Sequence, residues 1–284
     1  MKKFIVCFIV IFNLTSLSSP KQKVLGYSIK EVHYQLYMHE DTIRKNKEVI
    51  DSMILRIGED ISQFFSYHTF YYDSLWTDTN GRAIAERLTL EAFRNRDYSK
   101  MPEVRTTHDY IYKNYPEGTI TTMTRGLVAG FTFEEEYLSQ KWTVTDSVKQ
   151  ILNYTCKQAV CNFRGRQWTA WFSPDIEFSD GPWKFNGLPG LILEIYDKSS
   201  DYYYIATEIK EKSIPPLTLY NFHDEEFIPT ERSAYLQARY LYLTGEPITE
   251  IDLINEVYRG GKKLNYIQRP SRRLLYDFQE LDYK

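Results

Sequence analysis

Cysteine and histidine are scarce, with three and five in 284 residues, and this shortage removes most metal and thiol chemistry. The histidines, His33, His39, His68, His108 and His223, are scattered. On one strand His33 and His39 would share a face, but six residues of strand hold them about 20 Å apart, too far to chelate one ion. His223-Asp224-Glu225-Glu226 gathers ligand-type atoms, yet neighbouring side chains diverge, and a solvated loop is the simpler reading. No metal or other cofactor is expected. The chain also lacks a Gly-x-Ser-x-Gly elbow and a cysteine in a His/Asn setting, so no catalytic residue is assigned. Positive charge is not in excess: 35 basic residues face 38 acidic ones, a net −3, and nucleic acid is not an expected partner. Beyond the amino terminus no apolar run approaches the ~20 residues a transmembrane helix needs. There is no internal repeat and no low-complexity tract.

What is present begins with a leader. Lys2-Lys3 precede an apolar run from Phe4 to Phe12 and a small-x-small site at Ser16-Leu17-Ser18, the pattern of a secretory signal peptide over residues 1–18. Cys7 lies inside the apolar run rather than at its end, which argues against a lipid anchor. Removing the leader leaves Cys156 and Cys161, a possible disulfide in an oxidising compartment. In a straight strand, however, residues five apart are about 16 Å apart on opposite faces, whereas a disulfide needs Cα atoms within about 7 Å. A bridge would require a bulge or turn between them.

Aromatic residues are abundant, with 24 tyrosines and 16 phenylalanines, and such side chains fit pleated, half-buried surfaces. The expectation is a mainly β (α+β) fold: one domain over residues 19–284, a curved antiparallel sheet or partial barrel with a few helices. Gly26–Glu40 alternates loosely in a β-like pattern, with Tyr27, Ile29, Val32, Tyr34, Leu36 and Met38 as its apolar positions, and Met53–Ile57 predicts a second strand. Ile61–Asp73 is aromatic-rich and fits strand or helix. Gly81–Asn95 has a helical period, with Ile84, Leu88 and Ala92 on one stripe. Tyr110–Trp142 reads as strands broken by turns. Arg164-Gly165-Arg166 marks a hairpin reversal, and Asp197–Asp201 is a polar connection between two more strands. Helices are expected at about 230–260, over Glu231–Leu243 and Thr249–Tyr258 with Thr230 and Thr249 as caps, ahead of a basic tail.

The densest information lies in Gly181–Ile195, GPWKFNGLPGLILEI. Gly181, Pro182, Trp183 and Gly187 lead into Leu188-Pro189-Gly190-Leu191, which suits a type II turn, with proline presetting φ and glycine accepting φ > 0. Leu191, Leu193 and Ile195 then alternate with Ile192, Glu194 and Tyr196, as in a strand covered mainly on one face. With Cys156-Lys157-Gln158-Ala159, Phe163-Arg164-Gly165-Arg166 and Thr169-Ala170-Trp171-Phe172 upstream, the stretch resembles the GLPGLI family, secreted Bacteroidetes proteins named for the hexapeptide at 187–192. The resemblance implies an exported cell-envelope protein, periplasmic, outer-membrane-associated or extracellular, of uncharacterised activity. It also implies an envelope partner such as a TonB-dependent receptor, and it transfers no catalytic residue.

The remaining candidates each have a plain counterpart. Asp175, Glu177, Asp180, Glu194 and Asp197 surround the signature and could pair for glycoside cleavage, though with so many acids present proximity is weak support. Trp168, Trp171 and Trp183 would suit a sugar or peptide if exposed, whereas burial is simpler. Arg164 and Arg166 could grip an anion, with solvation the commoner fate. The functional expectation is therefore a non-enzymatic envelope module binding a peptide, glycan, lipid or receptor partner. The alternatives are an extracytoplasmic hydrolase using carboxylates and a lipid carrier with an apolar cavity.

Overall fold

The computed structural model describes residues 23–39, 48–77, 79–99, 101–125, 129–222, 225–244 and 278–282. The expected leader, the expected Thr249–Tyr258 helix, His223 and the basic tail at 257–276 lie outside the described residues. The chain runs through β1 (Val24–Gly26), β2 (Lys30–His39), β3 (Glu48–Ile57), β4 (Ser62–Ser66), α1 (Tyr67–Leu75) and α2 (Thr79–Asn95). It continues through β5 (Tyr110–Lys113), β6 (Thr119–Arg125), β7 (Gly130–Glu136), β8 (Thr143–Ile151), β9 (Tyr154–Phe163) and β10 (Arg166–Ser173). β11 (Leu191–Asp197), β12 (Tyr202–Lys210), β13 (Leu217–Thr218), β14 (Ile228–Pro229) and α3 (Arg232–Thr244) complete it.

One sheet dominates, in the order β14-β7-β6-β5-β4-β3-β2-β12-β11-β10-β9-β8. It is two up-and-down meanders, β2 to β7 and β8 to β12, joined where β12 pairs with β2. All pairs are antiparallel except β14 with β7. The sheet curls. In a flat sheet β7 and β10 would lie about 38 Å apart, at roughly 4.8 Å per strand, yet Glu135 on β7 forms an ion pair with Arg164 at the β9–β10 turn. The six residues between β7 and β8 reach no more than roughly 24 Å, so the chain can pass from one side of the sheet to the other only because the sheet bends back. The concave side encloses a core that runs from Val32, Leu36, Leu55 and Phe64 to Trp168, Leu193 and Ile195.

The mainly β expectation with a few helices holds, as does the Arg164-Gly165 reversal, where φ is 53° and 79°. Aromatic-rich 61–73 turns out to be both strand and helix. Ser66 ends β4 and caps α1: its Oγ accepts the Thr69 amide at 3.2 Å and donates to the buried Asp51 carboxylate. α2 is rotated from the expected stripe. Ala92 is buried as expected, but Ala85 is buried in place of Ile84, which is 40% exposed, because Gly81 packs so tightly on the Leu75 carbonyl that a Cβ would come within 2.2 Å of it. α3 starts at Arg232, and Tyr235 donates its amide to the Glu231 carbonyl, so Thr230 lies too early to cap it.

Candidate functional site

The signature loop between β10 and β11 does not hang off the sheet; it folds into the concave side as a plug. Trp183, Lys184, Phe185 and Leu188 are all buried. Phe185 packs edge-on against Trp168 with centroids 4.8 Å apart, and Trp183 lies 5.2 Å from Phe185. Lys113 reaches across from β5, pairing with Asp180 and donating to the Gly181 carbonyl at 2.7 Å. Burial pushes the Lys113 ammonium below the usual lysine range, and Asp180 opposes that. On the other side the β7–β8 linker grips the loop: the Trp142 indole donates to the Asn186 carbonyl at 2.8 Å, and Asn186 donates its amide to Gln140 Oε1 at 2.8 Å.

The hexapeptide turns more tightly than a type II turn. Gly190 donates to the Leu188 carbonyl at 2.8 Å, closing a γ-turn on Pro189, because the Leu191 amide is already given to Ile176 at 3.1 Å. Glycine at 190 is dictated by a close approach: φ is +146°, and a Cβ would lie 2.1 Å from the Ser173 carbonyl oxygen. β11 is covered on both faces rather than one, with Ile192 at 0% and Glu194 at 6% exposure. Gly181 lies against Ile192, and Lys149 pairs with Glu194 at 2.6 Å.

Where the plug stops, the concave side retains a cavity of about 110 Å³. Met53, Phe64, Ile111, Thr122 and Phe133 line it from the sheet, Trp183 and Lys184 from the plug. Tyr235, Leu236 and Arg239 of α3 and the segment Phe278–Glu280 form its cover. A cluster of alternating charge fastens that cover. Lys184 bonds Glu135 and, at 2.6 Å, Glu280; Arg232 bonds Glu280 and, at 2.9 Å, Asp282; Arg164 bonds Glu135 and, at 3.0 Å, Asp282. Burial raises the Asp282 carboxyl, but the Arg232 and Arg164 guanidiniums outweigh it and hold Asp282 below its ordinary value.

Several expected sites resolve differently. Arg166 is not solvated: it is buried, binding Asp197 at 2.9 Å and Asp201 at 3.2 Å and donating to the Phe278 carbonyl. Trp168, Trp171 and Trp183 are all buried, so none offers an exposed stacking platform. Trp168 and Trp171 do face apart, with Trp171 covered by the Lys149 ammonium 4.3 Å above its ring. Around the signature Asp180, Glu194 and Asp197 are engaged by Lys113, Lys149 and Arg166, while Asp175 and Glu177 are exposed. Cys156 and Cys161 are free, buried thiols on one unbroken strand, β9, so the possible bridge is not made. Burial raises them to about 11 and about 12. Among the described residues no cluster of His, Cys, Asp and Glu could hold a metal ion, and no helix is long and apolar enough to cross a membrane.

Sequence reasoning passed over Thr122, Lys113, Glu135 and Gln279. Glu135 alone left a signal. In the run Glu134-Glu135-Glu136, the strand period of two sends the middle residue opposite to its neighbours, and it is the one drawn into the charge cluster.

A β-rich module with a plugged concave face and a covered cavity is thus the class that fold and site define. A family model described as "Protein of unknown function (Porph_ging)" matches residues 162–194, from the end of β9 through the plug into β11. A search of curated proteins gives no match. Among solved structures, two crystal forms of PNGF-II are similar to this chain. One has a TM-score of 0.48 at 16% identity, covering 75% of this chain and 33% of that one. The other has 0.46 at 15%, covering 74% and 32%. The chain therefore spans about a third of the length of those proteins, and a likeness at this level bears no functional argument.

Proposed function

We propose that this chain is an exported cell-envelope module of the GLPGLI kind that acts by binding, and that its ligand site is the cavity beneath α3 and residues 278–280. The observation that carries the reading is the cavity itself. Trp183 and Lys184 of the otherwise largely buried signature loop also form walls of this cavity, and a charge cluster holds a cover over it. The volume of about 110 Å³ lies below the roughly 300–1,000 Å³ of pockets for drug-sized ligands, so the occupant is small, and a carrier of acyl chains loses its support. The engaged acids around the signature likewise support a structural role over glycoside cleavage.

The resemblance at 187–192 and the leader motivate export, with a mature start after residue 18 and residence in the periplasm or at the outer membrane, beside a receptor of the TonB-dependent type. Native mass spectrometry of the protein recovered from its host's envelope tests both parts. The expected result is a mature chain lacking residues 1–18 and carrying a small extra mass, which is lost on denaturation and absent from the cavity-filling variant Ile111→Phe. A full-length chain would refute export, and a mature chain without retained mass would refute the cavity as a binding site.

A further inference from the structure

Two polar groups on the cavity wall have no hydrogen-bond partner among the described residues, and their chemistry specifies what belongs there. Thr122, on β6, is 2% exposed, and its Oγ1 is unpaired. Gln279, half-buried in the cover, has an unpaired Nε2. The Tyr204 hydroxyl donates to Gln279 Oε1 at 3.0 Å, and in this amide orientation the NH₂ is the free end. A buried hydroxyl or amide without a partner is costly, so native folds rarely retain one unless water or a ligand answers it. The Gln279 N–H and the Thr122 O–H can both donate to an oxygen of a guest.

Charge argues for a neutral guest. The charged residues lining the cavity are Lys184, Arg239, Asp109 and Glu280, two of each sign. Lys184 is held by Glu135 and Glu280, Asp109 accepts a hydrogen bond from Thr124, and Arg239 lies 5.1 Å over the Phe278 ring. An ionic guest would have to break one of these engagements and leave its partner buried and uncompensated. The rest of the wall mixes apolar side chains with Thr106, Thr107 and the rings of Tyr202, Tyr204 and Tyr235, and since an apolar cavity of about 150 Å³ accommodates benzene, this smaller one admits a guest of at most roughly six heavy atoms.

We infer that the cavity binds a small uncharged molecule with an apolar body and a carbonyl-type acceptor, of the short amide class, received by Thr122 and Gln279. The inference rests on the cavity being the binding site. Three probes of similar size separate the possibilities: isobutyramide, its charged isostere isobutyrate, and cyclopentane, which has no acceptor. Each is titrated against the full chain with the Met53 methyl group as the NMR reporter. Isobutyramide is expected to saturate at least tenfold below isobutyrate and at least threefold below cyclopentane, and Thr122→Val is expected to remove the preference over cyclopentane. The same variant, measured without ligand, is expected to raise Tm, because it deletes an unpaired buried hydroxyl. A purely structural threonine would lower it. Tighter binding of isobutyrate or cyclopentane would overturn the ligand class while leaving the cavity as a site. Absence of saturable binding by all three, as for a cavity filled by water alone, would overturn both.

Discussion

Replacing Gly190 with alanine separates two costs that the hexapeptide carries. Gly190 has φ +146° and sits where a Cβ would be 2.1 Å from the Ser173 oxygen, 2.6 Å from its carbonyl carbon and 2.9 Å from Pro174 Cα. All three are backbone atoms and cannot rotate away. Gly118, in the β5–β6 turn, also has positive φ, +78°, but a Cβ there meets nothing within 4 Å. Gly118→Ala should therefore cost only the unfavourable backbone conformation, about 1–2 kcal/mol. Gly190→Ala should add the overlap with the Ser173–Pro174 backbone, about 1–3 kcal/mol more, for a total of about 2–5 kcal/mol. That is a large part of the ~5–15 kcal/mol by which folded domains are stable. Equilibrium urea unfolding, followed by the fluorescence of buried Trp168 and Trp183, measures both variants on one scale. If Gly190→Ala lost no more stability than Gly118→Ala, the claim that the hexapeptide's glycine answers a backbone contact would be wrong.

Two further outcomes follow from buried ionisable groups. Burial raises the Glu31 carboxyl, but hydrogen bonds from His33 and Arg56 outweigh it and bring it down to about 2. Because the folded value is lower than the unfolded one, the stabilisation is complete above pH ~4.5 and is lost as pH falls toward 2; it amounts to about 2 kcal/mol once solvent screening is allowed for. Glu31→Gln should therefore flatten the stability profile in that window, and an unchanged acid limb in pH-dependent unfolding would contradict the assignment. For the cysteines, burial raises Cys156 to about 11 and Cys161 to about 12, so both should resist a disulfide-exchange reagent at neutral pH in the folded protein and react in denaturant. Thiols that stay silent even in denaturant would mean a disulfide had formed.

How much of this was legible in the chain depends on whether the signal was local. The β-rich character, the Arg164-Gly165 hairpin, α2 and the existence of α3 all follow from composition, turn chemistry and period, which act over a few residues. β8 did not announce itself. As an edge strand it is exposed along most of its length, so it has no apolar alternation to read. The α2 stripe was right at Ala92 but wrong at Ile84, because small residues, Gly81 and Ala85, won the inward face of the first turns by allowing close approach, where size rather than hydrophobicity decides.

By itself the sequence determined that residues 187–192 bend the chain and start a buried strand, because proline fixes φ and glycine admits positive φ wherever they stand. Only the tertiary structure decided that this bend drives a plug into a curled sheet, tightens from a type II turn to a γ-turn, and leaves a cavity at its edge. Those outcomes depend on partners distant in sequence: Lys113 on Asp180, Ser173 against Gly190, and Gln279 facing Tyr204. A hydrogen bond or a steric contact between such residues exists only once the sheet has closed around them, and no local pattern encodes it.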